Sequence, residues 1–381
     1  MTSSPRPHTV LVAHPGAELF GSDRMLLESV AGMRDAGFDV VVALPDAGPL
    51  VEHLSATGAR VVVTSMLVLR KALLRPRGWS RLFRDLFRGT GCAWRLITRV
   101  DPDAVYISTL TLPAWPIIAR ARGRRTVSHA HEAEASAHRI VNAVLYSPLL
   151  CAHRVLVNSR FSLRTMLSSF PSLDGRATVV PNGVAGPERP APARPELTEG
   201  LRVAYVGRLS PRKGPDVVLR AAQRLGRSGD PVHVELIGST FPGYEWYERE
   251  LRELAASDTA VHVSFTGFVA DVWPRIAAAD VLVVPSRIDE PFGNTAVEGV
   301  LAGRPVVASD TSGLREAAGG YTTTRLVTPD DPAALAVALT ELAADWPRIV
   351  TDLPAQAARA ADRHAPRRYR EAIARAVSPE G

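Results

Sequence analysis

Two glutamates and two cations in the second half of this 381-residue chain have the types and spacing to hold a diphosphate and a diol. Glu290 and Glu298 stand eight positions apart in EPFGNTAVEGVLAGRPVVASD. The run Thr295 to Ala302 reads as a short helix stopped by Gly303 and Pro305. Glu298, four positions past Asn294, falls about one turn inside it. A carboxylate there can accept from a vicinal diol such as a ribose. The N–H groups around Gly293, Asn294 and Thr295 can take phosphate oxygens with help from the helix dipole. Glu290, on the loop before them, could reach a sugar beyond the phosphates. Arg208 and Lys213 flank a glycine-bounded loop, GRLSPRKGPD, and two cations there can neutralise a diphosphate, including the charge that grows on it as a bond to it breaks. For any one of these residues alone, the ordinary reading is a solvated surface charge or a plain helix glutamate.

The elements around these residues are strands that open into loops. Val281–Val284 precedes the Glu290 loop and Val306–Ala308 follows the helix; Leu201–Val206 precedes the Arg208 loop. Each is a short apolar, β-branched run suited to a buried parallel strand. Loops at the carboxyl ends of such strands are where open α/β sheets bind ligands. The N-terminal half repeats the pattern: strand Thr9–Ala13, a loop with Gly16, Gly21 and Ser22, a helix from Arg24 to Ala36, and strand Val40–Leu44. Gly16 and Gly21 are spaced like the ends of a phosphate loop, but no Gly-Lys-Ser/Thr follows and the dinucleotide fingerprint is absent. In Arg124 to Glu132 a strand runs into a His-Glu pair, His131-Glu132, with His129 as the competing histidine. Asp101-Pro102-Asp103 reads as a turn before the strand Ala104–Ile107 and not as a metal motif.

The stretch EPFGNTAVEGVLAGRPVVASD resembles the Glu-x7-Glu signature of the retaining family-4 glycosyltransferases, which have the GT-B fold. Further blocks, GRLSPRKG, SHAHE and VVPNGV among them, resemble the family in the expected order, so the likeness covers most of the chain. The resemblance implies an α/β fold class with two doubly wound parallel-sheet, Rossmann-like domains facing a cleft. It implies an acceptor-side domain over residues 1–184, a proline-rich linker over 185–200, a donor-binding domain over 201–365 and a helix over 366–381 crossing back to the first domain. Four prolines in the sixteen linker residues suit an extended segment.

The function implied is metal-independent, retaining transfer of a hexosyl group from a UDP- or GDP-linked sugar to a hydroxyl acceptor, with no cofactor. Glu298 is implied on the ribose, and Arg208 and Lys213 on the pyrophosphate. Phe292, Gly293, Asn294 and Thr295 would offer loop amides, and Gly238, Phe268 and Val269 would line the donor and its base. Glu290 would contact the transferred sugar. His131 would approach from the other domain with Glu132, and Gly16, Gly21 and Ser22 would form the acceptor-side loop. A sugar-nucleotide epimerase, a phosphorylase and a catalytically silent nucleotide-sugar-binding subunit are the rivals.

Composition bounds the rest. With 46% apolar and 22% charged residues there is material for two cores, and the length suggests roughly two to three domains. The net charge of +6 and a pI near 9.7 favour anionic partners. Cys92 and Cys151 lack metal-ligand spacing and fit a reducing compartment. No signal peptide or run of about 18 apolar residues is present, which suggests a cytoplasmic protein. Arg70 to Arg99 carries nine basic residues against one acidic, Asp85, with Trp79, Leu82, Phe83, Leu86, Phe87, Ala93, Trp94 and Ile97 near helical spacing. Such a helix either packs on the sheet with a solvated arginine face or lies on an anionic membrane surface, on the inner face of the cell membrane. The arginines cluster in this one segment without a nucleic-acid reading motif, so nucleic acid is not an expected partner.

Overall fold

The computed structural model describes residues 7–19, 21–69, 79–133, 138–229, 231–241 and 243–379. The chain forms two compact units, Met1–Gly183 with Pro366–Gly381, and Val184–Ala365.

In the first unit, strands β1 (Thr9–Ala13), β2 (Asp39–Leu44), β3 (Arg60–Val63), β4 (Ala104–Ile107), β5 (Arg125–Ala130), β6 (Arg154–Val157) and β7 (Ala177–Val179) alternate with helices α1 (Gly21–Asp35), α2 (Pro49–Ala56), α3 (Trp79–Val100), α4 (Ala114–Ala121), α5 (Arg139–Tyr146) and α6 (Arg160–Ser169). The strands pair in parallel in the order β3-β2-β1-β4-β5-β6-β7. Both faces are covered, which is why the strands read as unbroken apolar runs. Val10, Val12, Val40 and Val42 point into a core shared with α1 and α2, while Leu11, Ala13, Val41 and Ala43 pack against α3 and α4. The strand order reverses between β1 and β4, so the loops after these two strands flank the unit's switch point.

The second unit has six parallel strands in the order β10-β9-β8-β11-β12-β13. They are β8 (Leu201–Val206), β9 (Val232–Ile237), β10 (Val261–Gly267), β11 (Val281–Val284), β12 (Val306–Ser309) and β13 (Thr324–Val327). Between and after them run α7 (Pro215–Arg227), α8 (Glu245–Ala256), α9 (Trp273–Ala278), α10 (Asn294–Leu301), α11 (Ser312–Ala318), α12 (Pro332–Ala344) and α13 (Trp346–Arg363). The switch point lies between β8 and β11, the two strands that feed the Arg208 and Glu290 loops.

The proline-rich segment 185–200 contains no helix or strand and is fastened to this second unit. Its carbonyls have no ladder to join. The buried Arg304 guanidinium donates to those of Ala191 at 2.9 Å and Pro192 at 3.4 Å, and to Ala277 and Ala279 of the unit's body at 2.6 and 2.7 Å. Arg194 pairs with the buried Asp280 at 2.5 Å. The chain then returns to the first unit as α14 (Pro366–Val377). That helix packs on α1, where a Cβ on Gly32 would come within 2.7 Å of the Arg370 backbone. Tyr369 meets Ser29 at 2.7 Å and Arg370 meets Glu28 at 2.8 Å.

Asp101-Pro102-Asp103 is a turn between α3 and β4. Asp101 has a left-handed φ of 49° and pairs with Arg124, and Asp103 accepts the Thr9 amide at 2.8 Å. Helix α1 begins at Gly21, three residues before the expected start, with Asp23 in its first turn complementing the helix dipole.

Candidate functional site

All strands of the second unit are parallel, so the loops after β8, β9, β10, β11 and β12 emerge on one edge of its sheet. Glycine lets these loops approach one another. A Cβ on Gly238, after β9, would lie 1.9 Å from the Gly207 carbonyl oxygen, after β8. Gly214 has φ +67°, and its Cβ would meet the Pro285 carbonyl at 2.3 Å. The result is a continuous floor of backbone at the β8/β11 switch point.

On that floor Lys213 and Glu290 meet. The Lys213 ammonium lies 2.8 Å from Glu290 Oε1, and the Ser286 hydroxyl donates to the same oxygen at 2.8 Å. Glu290 is 7% exposed. Burial alone would push its carboxyl up, but the Lys213 charge and hydrogen bond, the Ser286 hydroxyl and the nearby Arg212 outweigh it and hold the group below the ordinary carboxylate range. Glu290 is therefore an anion at neutral pH, paired with a Lys213 side chain that is only partly buried. Arg208 lies over the Phe241 ring, with its guanidinium carbon 3.2 Å from the ring centroid.

Helix α10 starts beside this pair. Its cap residue Gly293 has φ +122°, and no side chain caps the helix. A Cβ on Gly293 would strike Leu314 at 2.5 Å, so the position combines a left-handed backbone with close packing. Asn294 and Thr295 form the first turn, and Glu298 is partly exposed one turn further along. The Phe292 side chain is buried against α11 and the His364 ring, so only its backbone faces the loop edge. Gly238 closes on Gly267 with a 2.8 Å backbone hydrogen bond, which sets the loop holding Phe268, half exposed, and Val269, packed on the core. Among the described residues, no group of three or more His, Cys, Asp or Glu is placed to hold a metal ion.

The first unit carries its own polar cluster at the carboxyl ends of β1, β4 and β5. His14 bridges Ser108 at 2.6 Å and Asp23 at 2.8 Å, all three buried. Gly16 packs near the same Asp23 carboxylate, and Gly21 and Ser22 are the first residues of α1. Glu132 accepts from the Thr109 hydroxyl, from the Leu110 amide at 3.2 Å and from the His131 amide at 3.1 Å. Burial raises its pKa against the pull of these donors. The two histidines separate by depth. His129 is a β5 residue with no exposure, its Nδ1 2.6 Å from the Tyr106 hydroxyl. His131 is on the loop, its ring 4.0 Å from that of His129. Burial and then repulsion from His14 push the His131 imidazole down to about 3, so it is neutral at physiological pH.

Several residues of the second-unit site carry no signal of their own in the sequence. Ser286 donates to Glu290, the Asp289 carboxylate takes the Ser312 amide at 3.0 Å, and Gly313 passes so close to the Glu290 carbonyl that a Cβ would lie 1.9 Å from it. Arg287 pairs with Asp216, 71 positions away. The available signal was indirect: charged and small residues gathered in the strand-to-helix connections, such as PSRIDEPFG after β11.

Residues 200–345 match the family model described as Glycosyl transferases group 1, and residues 21–185 match the one described as Glycosyltransferase Family 4. The chain is 32% identical to a glycogen synthase of Mycobacterium tuberculosis over 288 residues, 72% of this chain and 64% of that protein. It is 28% identical to a phosphatidyl-myo-inositol mannosyltransferase of Mycolicibacterium smegmatis over 84% of this chain and 80% of that one. The chain thus spans just under two thirds of the glycogen synthase's length. The solved structure of Anabaena HepE, in complex with UDP and glucose, superposes with a TM-score of 0.77 at 21% identity, covering 97% of this chain and 99% of that one. The two parallel-sheet units, the structural likeness and the two matched segments lead to one conclusion: this chain belongs to the family-4 glycosyltransferases and has the GT-B fold.

Proposed function

We propose that the protein transfers a hexosyl group, with retention and without a metal, from a nucleoside-diphospho sugar to a hydroxyl acceptor. The observation that carries this reading is the Lys213–Glu290 pair at the switch point of the second unit, beside an α10 N-terminus that no side chain caps. Arg208 and Lys213 bind the pyrophosphate, and the amides from Phe292 to Thr295 add neutral donors to it. Glu298 accepts from the ribose hydroxyls. When the diphosphate draws Lys213 towards itself, Glu290 is released to hold the hydroxyls of the transferred sugar. The bond between the sugar's anomeric carbon and the phosphate oxygen breaks, and the acceptor oxygen bonds to that carbon on the same face. The acceptor's proton passes to the departing phosphate oxygen. The two cations act most strongly on the charge that develops on the diphosphate. In the first unit, Glu132, Gly16 and the first α1 residues Gly21 and Ser22 serve the acceptor, and His131 serves the transferred sugar. The solved neighbour that holds UDP and glucose makes UDP the first nucleotide to test.

A thermal-shift series with UDP, GDP, ADP and their hexose conjugates, without metal, checks the donor site. One nucleotide should stabilise the wild type, by about 2.7 kcal/mol at 100 times its dissociation constant. The shift should vanish in Glu298→Ala. Folded protein that responds to none of them would sink the reading.

We also propose that the acceptor is presented at an anionic membrane. No helix among the described residues is long and apolar enough to cross a bilayer. Helix α3, however, buries Ala93, Leu96 and Ile97 and turns Phe87, 76% exposed, and Trp94, 44% exposed, outward beside the exposed Arg84, Arg88, Arg95 and Arg99. The basic residues at 70–78 lie outside the described residues. Aromatic and cationic groups on one exposed face suit a surface of acidic lipid. Phe87→Asp with Trp94→Asp should abolish co-sedimentation with vesicles containing phosphatidylglycerol while leaving the nucleotide response intact. Equal sedimentation of variant and wild type would remove this face from consideration.

A further inference from the structure

We propose that Arg287 is a positioning residue that fixes the separation of Lys213 and Glu290 by clamping together the two loops that carry them. The inference rests on the donor-site reading above and assigns a residue which that reading does not use.

Arg287 stands three positions before Glu290, and Asp216 stands three positions after Lys213. Their side chains form a two-pronged pair, Nη1 to Oδ1 at 2.8 Å and Nη2 to Oδ2 at 2.6 Å. Nη1 also donates to the Pro211 carbonyl at 2.9 Å, at the start of the short turn that presents Lys213. Nε donates to Asp330, in the connection after β13, at 2.7 Å. The Arg287 amide donates to the Arg212 carbonyl at 2.9 Å, and the Arg212 side chain returns a bond to the Asp289 carbonyl at 3.0 Å. One side chain therefore ties together connections from β8, β11 and β13, immediately behind the ion pair.

The chemistry of the pair separates positioning from direct ligand binding. Four of Arg287's hydrogen bonds go to protein oxygens, and two carboxylates balance its charge. A guanidinium so occupied offers little to a phosphate. Asp216 is equally committed, since the Tyr247 hydroxyl donates to its Oδ1 at 2.5 Å. A planar fork is required for this geometry, and a lysine at position 287 would keep the charge without the second prong. The close passage of Gly214 against Pro285 holds the loops in register without Arg287. What the clamp adds is the position of the Pro211–Lys213 turn relative to Glu290.

The test is calorimetric titration of UDP, GDP and ADP into the full chain, using the nucleotide the wild type binds best. Lys213→Ala in the wild-type background supplies the reference loss, about 30-fold, the scale of one hydrogen bond to a charged group. Arg287→Ala, Arg287→Lys and Asp216→Asn should each weaken binding about ten-fold, and the Lys213→Ala loss should shrink to a few-fold in the Arg287→Lys background, as for residues acting through one network. A residue that merely stabilises the fold would lower the melting temperature and leave the Lys213→Ala factor unchanged, and that result overturns the proposal. Direct phosphate binding by Arg287 would leave Asp216→Asn at wild-type affinity or tighter, which also overturns it. A wild type that binds no nucleoside diphosphate removes the donor site and the clamp together. Binding that depends on Lys213 but not on Arg287 or Asp216 removes the clamp alone. Arg287→Lys keeps the loop filled and gives the decisive comparison if the alanine variant does not fold.

Discussion

Replacing Lys213 by alanine should weaken nucleoside-diphosphate binding by about 10- to 100-fold and destabilise the protein more at pH 7 than at pH 4. The affinity loss corresponds to about 1.5–3 kcal/mol for one hydrogen bond to a charged group. The stability effect follows from Glu290. Its folded carboxyl lies below the ordinary value, so in the wild type it adds stability that is fully present above the unfolded carboxylate pKa. That stability is lost as pH falls through the folded value. Without Lys213, burial becomes the dominant influence and the carboxyl moves upward. At pH 7 the variant then holds a poorly paired buried anion, and acidification relieves it by protonation. The difference in stability between wild type and variant should therefore be largest near pH 7 and narrow towards pH 4. Removing one partner of a fully buried pair costs about 3–5 kcal/mol, but Lys213 is 35% exposed, so about 1–3 kcal/mol is the expected penalty. Adding Glu290→Gln should restore much of the lost stability without restoring binding. Chemical denaturation of the three proteins across pH 4–8 reads this directly. A penalty that grows on acidification would contradict the ion-pair assignment.

The second large effect is expected at Gly238. Alanine there meets two obstacles, a backbone at φ +141° and a carbonyl oxygen of Gly207 only 1.9 Å from the new Cβ. Strained φ costs about 1–3 kcal/mol and overpacking a further 1–3, so Gly238→Ala should lose about 2–6 kcal/mol. For a unit of this size the melting temperature would fall by about 4–24 °C. The displaced atom belongs to the residue before Arg208, so nucleotide affinity should fall as well in whatever protein remains folded. Gly91→Ala is the control. Gly91 lies in α3 with open space around its Cβ position, and the substitution should be neutral or stabilise by up to about 1 kcal/mol. Differential scanning calorimetry of the pair decides the matter, and an unchanged transition in Gly238→Ala would rule out the close approach of the two loops.

The sequence by itself determined the fold class and named candidate addresses for the chemistry. Parallel strands covered on both faces must be apolar at nearly every position, so Val281–Val284 and Leu201–Val206 were recognisable without any knowledge of their neighbours. The loops after those strands are where ligands meet such sheets, so Arg208, Lys213, Glu290 and the first turn of α10 could be named from local pattern and resemblance. The different settings of His129, fully buried inside β5, and His131, partly buried on the loop just after it, could not, because the two stand two positions apart in one run. Nor could the two faces of α3, since its arginines and aromatics alternate in sequence whichever side the sheet covers. The Arg287–Asp216 clamp, the capture of residues 191 and 192 by Arg304, and the contacts of Gly238 with Gly207 and of Gly313 with Glu290 were decided by tertiary structure alone. Each joins residues distant in the chain through a distance or an angle. A one-dimensional pattern records which residues can bond, bury or turn. Which of them come within reach is set only when the sheet brings the ends of its strands together.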